Sequence, residues 1–219
     1  MQTESTEMYL ITVYRLTRQT PRATTKDIAN LLKISQPSVS EQLKRLAKQG
    51  YLKYAWREGA ILTEKGEHIA INVLRKHRLI ETFLVEMAGY AIDEVHDEAC
   101  QMEHAISDRL ADRLEAMLGY PLVDSHGHPI PDKDGSVASL DFLPLADAPP
   151  GETVIIRQIS DWEQEEIQYL RELGLVPGTA VTVSTVAPFD GPLTLEVEEK
   201  TVALARPIAE KIGVVRDQG

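Results

Sequence analysis

Four side chains able to bind a transition metal stand in one short stretch, VHDEACQMEH: His96, Cys100, Glu103 and His104. Imidazole nitrogen, thiolate sulfur and carboxylate oxygen are the donors such metals take. Their spacing is i, i+4, i+7 and i+8, which on a helix puts all four on one face. A stripe of this kind makes a poor core face, because a buried carboxylate is costly unless paired or metal-bound. His77 and Glu81 form a second pair at i, i+4. That spacing is also common in surface ion pairs, so for His77 and Glu81 alone both readings stand. Six histidines in 219 residues are no enrichment, and the argument rests on spacing. Neither stretch is an HExxH motif. The chain offers no activated nucleophile, Gly-rich phosphate loop or acid–base pair, so the sequence does not read as an enzyme. His126 and His128 lie in a Pro-rich stretch and read as loop residues.

Cys100 is the only cysteine, which excludes an intrachain disulfide framework and leaves a thiolate available to a metal. A free thiol fits a reducing, cytoplasmic setting. No apolar run approaches the ~20 residues of a membrane span, and MQTESTEMYL lacks the basic and apolar regions of a secretory signal. The net charge is −11, yet it is unevenly spread. Residues 1–70 carry eleven Lys+Arg against seven Asp+Glu, a net of +4; the rest carry twelve against twenty-seven, a net of −15. A basic head on an acidic remainder is compatible with nucleic acid, although +4 is also ordinary surface scatter, so a motif must decide.

The elements that would position these residues can be followed along the chain. Residues 4–18 read as a first helix with Leu10, Val13 and Tyr14 on its apolar side, closed before Pro21. Thr24 and Thr25 can cap a second, KDIANLLK. After a tight turn comes a third, QPSVSEQLKRLAKQG, ended by Gly50. YLKYAWREGAILT then reads as two short strands around an Arg57-Glu58-Gly59 turn. Helix, helix, turn, helix and hairpin is the order of a winged helix-turn-helix, assigned to 1–70. Thr63 can cap a long fourth helix to about Met87. A fifth is expected from Asp93 to about Leu118, making 71–131 a helical dimerisation and metal-binding unit. From 124 the composition turns Pro-rich, with 132–150 read as linker. Residues 151–219 are β-rich: TVIIRQI, TAVTVSTV, LTLEVE, TVALA and IGVV, with one helix at about Trp162–Leu173. Five short strands and a helix suggest a small SH3-like barrel. The fold class expected is mainly α with a small β part.

The third helix carries short hydroxyls at its start and bases at its end. Ser35, Ser38 and Ser40, with Gln36 and Glu41, could reach base edges or phosphates from a helix N-terminus in the major groove. Lys44 and Arg45 suit phosphate, as does Arg57 at the wing tip. On the bland view, Ser35 only caps the helix and the lysines only solvate it.

Taken together, TEMYLITVYRL, ISQPSVSEQLKRL, RKHRLIE, VHDEACQMEH and HPIP resemble the diphtheria toxin repressor family of iron- and manganese-dependent regulators, over nearly the whole chain. ELGLVPGTAVTV is similar to the SH3-like domain of the longer members and of ferrous-transport accessory proteins. The resemblance implies a transcriptional regulator that binds double-stranded operator DNA as a homodimer when loaded with Fe²⁺ or Mn²⁺, represses metal-homeostasis genes and holds two metal sites per subunit. It implies a primary site of Met8, Cys100, Glu103 and His104. It implies an ancillary site of His77, Glu81 and His96, completed by Glu163 and Glu166; at the latter position the family often has glutamine. Pro37 joins Ser35, Ser38 and Ser40 in matching the reading helix, whereas Glu41 replaces a base-contacting glutamine.

Thioether and thiolate donors point to Fe²⁺ rather than Mn²⁺, since manganese-selective members resemble a harder site with carboxylates there. A metal joining Met8 to the other three ligands would hold the DNA-reading and dimerisation parts in one orientation. The rival is a winged-helix regulator that answers another ligand without metal.

Overall fold

Three hydroxyl side chains set the start of three helices. Thr3, Thr24 and Ser35 hold extended backbones, and each side-chain oxygen accepts a backbone N–H three residues on, from Thr6, Asp27 and Ser38, which satisfies a donor that a helix N-terminus leaves open. The helices are α1 Glu4–Gln19, α2 Thr25–Leu32 and α3 Gln36–Lys48. Lys33 adopts a left-handed φ of 53° and ends α2. These features come from a computed structural model that describes residues 3–161, 163–198 and 200–217.

The chain divides into two units. The first comprises Met1–His77, Glu103–Ile106 and Pro131–Val137; the second comprises Arg78–Met102, Ser107–Ile130 and Ala138–Gly219. In the first, α1 to α3 are followed by β1 Leu52–Ala55 and β2 Gly59–Leu62, an antiparallel pair. Ala23 bridges to Ala60 beside β2. Leu10, Val13, Ile28, Val39, Leu43 and Leu46 are wholly buried in one core. This is the helix, helix, helix and hairpin order expected of a winged helix-turn-helix.

Thr63 caps α4 Glu64–Glu86 by accepting the Gly66 N–H. The helix passes from the first unit into the second at His77 and Arg78. The fifth helix is not continuous as expected. It is split into α5 Val95–Met102 and α6 Asp108–Met117. Ser107 marks the restart after the break, since its hydroxyl accepts the Leu110 N–H and caps α6. Glu103 and His104 therefore lie in the intervening turn, and a helical face cannot be what groups them with Cys100.

The second unit carries a six-stranded antiparallel sheet: β3 Leu143–Pro144, β4 Thr153–Gln158, β5 Ala180–Val186, β6 Leu193–Val197, β7 Lys200–Leu204 and β8 Gly213–Arg216, in the order β3-β8-β4-β5-β6-β7. Alternate residues such as Val154 and Ile156, Val181 and Val183, and Leu193, Leu195 and Val197 face its core, the period-two pattern of a half-buried sheet. All five expected strands are present. The short β3, inside the Pro-rich stretch, joins them by pairing with β8. Helix α7 Gln164–Glu172 lies between β4 and β5 in sequence, and the four-residue α8 Arg206–Ala209 follows β7. The expected start of α7 at Trp162 lies outside the described residues. Among the described residues, no helix is long and apolar enough to cross a membrane.

Candidate metal centre

In the first unit, a string of alternating carboxylates and imidazoles runs through the turn after α5. Glu103, 4% exposed, meets His77 Nδ1 at 2.6 Å through Oε2 and His104 Nε2 at 3.2 Å through Oε1. His104 Nδ1 in turn lies 2.8 Å from Glu7 Oε2 on α1. Met8, the neighbour of Glu7, packs partly buried against the apolar core of this unit. The string joins α1, α4 and the Glu103–Ile106 segment with nitrogen and oxygen donors, the set that suits first-row divalent ions. Glu7 was not anticipated; adjacency to Met8 was the only sequence hint.

A second string runs through the second unit. Cys100 Sγ lies 3.6 Å from His96 Nε2, both on α5. His96 Nδ1 is 3.5 Å from Glu81 Oε1, and Glu81 Oε2 is 3.7 Å from His126 Nδ1. Glu81 and His126 are wholly buried. Glu81, Asp124 and His126 each offer a ligand atom, all within 4.8 Å of one another.

The loop that delivers Asp124 and His126 is built around one oxygen. Asp124 Oδ1 accepts the backbone N–H groups of His126 and His128, both at 2.9 Å. Gly127 turns between them with φ +88°, and a Cβ there would sit 1.7 Å from the Arg157 carbonyl oxygen. Arg78 clamps the loop. Its Nη1 donates to the Pro129 carbonyl at 2.6 Å, its Nε lies 3.2 Å from Asp124 Oδ2, and its Nη2 lies 3.7 Å from Asp161. His128 donates from Nε2 to the Ile159 carbonyl at 2.9 Å, and its Nδ1 faces the Gln158 amide at 2.9 Å. That ring is a strut and has no lone pair left for a metal.

His126 is arranged differently. Its Nε2 can only donate to the Ile92 carbonyl, 3.1 Å away, which leaves Nδ1 to face Glu81. A neutral ring then turns a lone pair toward a carboxylate, and two acceptors at that distance require a cation between or upon them. Burial by itself would lower the basicity of His126, but Glu81, with Asp124 and Asp161, more than reverses this and raises it. The Asp124 carboxyl is also raised, first by burial, with Glu81 adding to it against the lowering by His128 and Arg78. Both groups hold protons more tightly than usual, Asp124 chiefly because it is buried and His126 because Glu81 and its neighbouring carboxylates outweigh its burial. Oxygen donors from Glu81 and Asp124 with the His126 nitrogen fit a divalent ion such as Mn²⁺ or Fe²⁺.

The other two expected ligands, Glu163 and Glu166, stand at the start of α7. Glu163 is the exposed residue preceding α7. Glu166 on α7 is bound by Lys211 Nζ at 2.6 Å, and this contact raises the Lys211 basicity. Of the residues read as DNA contacts, Ser35, Gln36, Pro37, Ser38, Glu41, Lys44, Arg45 and Arg57 are all exposed. Ser40 is not: it is 8% exposed and its hydroxyl shares a 3.0 Å hydrogen bond with the Tyr54 hydroxyl. Asp124, His126 and Asp161 were missed as candidates. The spacing Asp-x-His-x-His in DSHGH was the available signal, hidden by the prolines around it.

Comparison with known proteins bears on the same three regions. Residues 1–60 match the model of the iron dependent repressor N-terminal DNA binding domain, residues 63–132 that of the iron dependent repressor metal binding and dimerisation domain, and residues 143–216 the FeoA domain. The chain is 34% identical over 223 residues to the iron-dependent repressor IdeR of Mycobacterium leprae, covering 96% of each. It is 30% identical over 227 residues to the diphtheria toxin repressor of Corynebacterium glutamicum, covering 99% of this chain and 98% of that one. A solved manganese-dependent transcriptional repressor in complex with manganese superposes with a TM-score of 0.84 at 35% identity, covering 97% of this chain and 100% of that chain. With its DNA-binding unit, its buried carboxylate–imidazole strings and relatives matched from end to end, the chain belongs to the family of iron-dependent repressors.

Proposed function

We propose that this chain is a metal-dependent transcriptional repressor of the cytoplasm that binds double-stranded operator DNA as a homodimer when Fe²⁺ or Mn²⁺ is bound. The observation that carries the reading is the buried meeting of Glu81, Asp124 and His126 ligand atoms within 4.8 Å. We assign two ions per subunit. Met8, Cys100, Glu103 and His104 would hold one. His77, Glu81 and His96 would contribute to the other, and within the second unit Glu81 also meets Asp124 and His126. Glu163 and Glu166 would take part only after Lys211 releases Glu166.

A bound divalent ion supplies positive charge and fixed coordination directions. The chain's own residues do the remaining work. Glu7 orients the His104 ring, the Ile92 carbonyl selects the His126 tautomer, and Arg78 holds Asp124 in place. On the DNA side, the exposed start of α3 presents Gln36, Pro37 and Ser38, while Lys44, Arg45 and Arg57 face phosphate. For metal to activate repression it must bind the DNA-competent state more tightly, and DNA must tighten metal reciprocally.

The test is a DNA-binding titration at fixed salt. Duplexes selected from a random pool by the Mn²⁺-loaded protein are titrated with Mn²⁺, with Fe²⁺ under anaerobic conditions, and with chelator. Metal-dependent binding is expected; equal affinity in chelator would sink the proposal and favour the rival regulator without metal.

A further inference from the structure

Among the described residues of the first unit, Trp56 is the most exposed large apolar side chain, at 67%; Leu31 follows at 48%. It sits at the tip of the β1–β2 hairpin, in a turn closed by the Glu58 N–H to Ala55 carbonyl bond of 3.1 Å. Exposing an indole costs free energy, because its large apolar face stays in water. The same turn holds Arg57 at φ +69°, a left-handed conformation that a side-chain-bearing residue rarely adopts.

The mount beneath this tip is rigid. Ala23 and Ala60 exchange both backbone hydrogen bonds, at 3.0 and 2.8 Å. Gly59, with φ +94°, allows the approach, since a Cβ there would lie 2.7 Å from the Ala23 carbonyl oxygen. Arg22 engages Glu58 at 3.5 Å, which neutralises the one acidic group of the turn and leaves the Arg57 guanidinium as its outward charge. At its other edge, the hairpin is tied to the reading helix through Tyr54, whose hydroxyl meets Ser40 on α3.

We infer that Trp56 is a DNA-contacting residue, its indole lying against the deoxyribose and minor-groove edge of the duplex that α3 reads, with Arg57 on the adjoining phosphate. The inference rests on the DNA-binding reading above. Three features select duplex DNA as the occupant: the positive charge beside the indole, the continuity of the hairpin with α3, and the position of Trp56 inside the 1–60 match to a DNA binding domain. An indole suits this surface because its face covers sugar carbons while its N–H donates to phosphate or a base acceptor. The contact adds affinity with little base discrimination, complementing the base-edge contacts of α3.

The test uses the full Mn²⁺-loaded chain carrying Trp162→Phe, so that Trp56 is the remaining indole of the two in the sequence. The probe is a duplex selected from a random pool by the unaltered protein. Acrylamide quenching of Trp56 is expected to fall about threefold or more in the complex. Trp56→Ala, made in the otherwise unaltered chain, is expected to raise Kd roughly tenfold, with Trp56→Phe recovering part of the loss. The Mn²⁺ affinity of Trp56→Ala should stay unchanged. Unchanged quenching in the complex, or an unaltered Kd for Trp56→Ala, overturns the inference. Shielding that grows with protein concentration and needs no DNA also overturns it and assigns the indole to a second copy of the chain. Failure of the unaltered protein to bind any duplex with either metal overturns the DNA-binding reading itself, a result distinct from the others.

Discussion

His126 Nδ1 faces Glu81 Oε2 at 3.7 Å, both side chains wholly buried, while the other ring nitrogen of His126 is committed to the Ile92 carbonyl. The backbone therefore decides which nitrogen the imidazole offers. Two acceptors facing one another in a closed pocket are tolerated only when a proton or a metal ion supplies the missing positive charge. Glu81 is shared, with one oxygen toward His96 on α5 and the other toward the His126 loop.

Glu81→Gln keeps the shape and removes the charge. It is expected to weaken Mn²⁺ binding at this position by tenfold or more and to lower the bound stoichiometry measured by calorimetry at micromolar metal. The thermal stabilisation that metal confers on the unaltered protein should shrink accordingly. His126→Ala should do the same. Unchanged stoichiometry in both variants would remove Glu81 and His126 from the metal site.

Arg78 joins Asp124, Asp161 and the Pro129 carbonyl. Arg78→Ala leaves buried carboxylates without that partner, and breaking a buried pair from one side costs about 3–5 kcal/mol. Chemical denaturation should show a loss of this order. Arg78→Lys is expected to recover only part of it, because an ammonium cannot place three donors on three acceptors in one plane. Equal stability of Arg78→Ala and the unaltered chain would mean that the clamp is not a stabilising contact.

The DNA-binding unit was largely legible in the sequence because its signals are local. Thr24 and Ser35 are capping residues at the observed cap positions, and the alternation in TAVTVSTV is that of β5. The second string was legible only in part: Cys100 and His96 stand at i, i+4 on α5, and the family resemblance set Glu81 beside His96, but its far end was not foreseen. Glu81 meets His126 only through tertiary packing, and the prolines near DSHGH made a tightly built loop resemble a linker. The break between α5 and α6 was missed for a subtler reason. No glycine or proline marks it, and its local sign is Ser107 capping the new helix. The stripe at i, i+4, i+7 and i+8 pointed to metal-binding residue types, but on the argument of one continuous helix, which the structure does not have.

Gly127 permits the turn that aims His126. Gly127→Ala must both strain φ +88° and move the Arg157 carbonyl, 1.7 Å from the new Cβ. Gly89→Ala is the control, with φ +76° and open space around its Cβ. The control should cost about 1–2 kcal/mol from the left-handed backbone alone. Gly127→Ala should cost clearly more and also weaken Mn²⁺ binding. Equal losses in the two variants would show that the close approach to Arg157 carries no energy.

Glu7 touches His104 Nδ1 at 2.8 Å and so fixes the orientation of a ring whose Nε2 faces Glu103. A carboxylate behind a metal-binding imidazole holds its tautomer and ring orientation, and losing one typically costs ten- to hundredfold in metal affinity. Glu7→Gln keeps a hydrogen-bond acceptor and should cost less than Glu7→Ala. In both, the metal concentration needed for half-maximal DNA binding should rise, while binding at saturating Mn²⁺ stays near that of the unaltered chain. A change in saturated DNA affinity with no shift in the metal requirement would instead place Glu7 on the DNA side of the first unit.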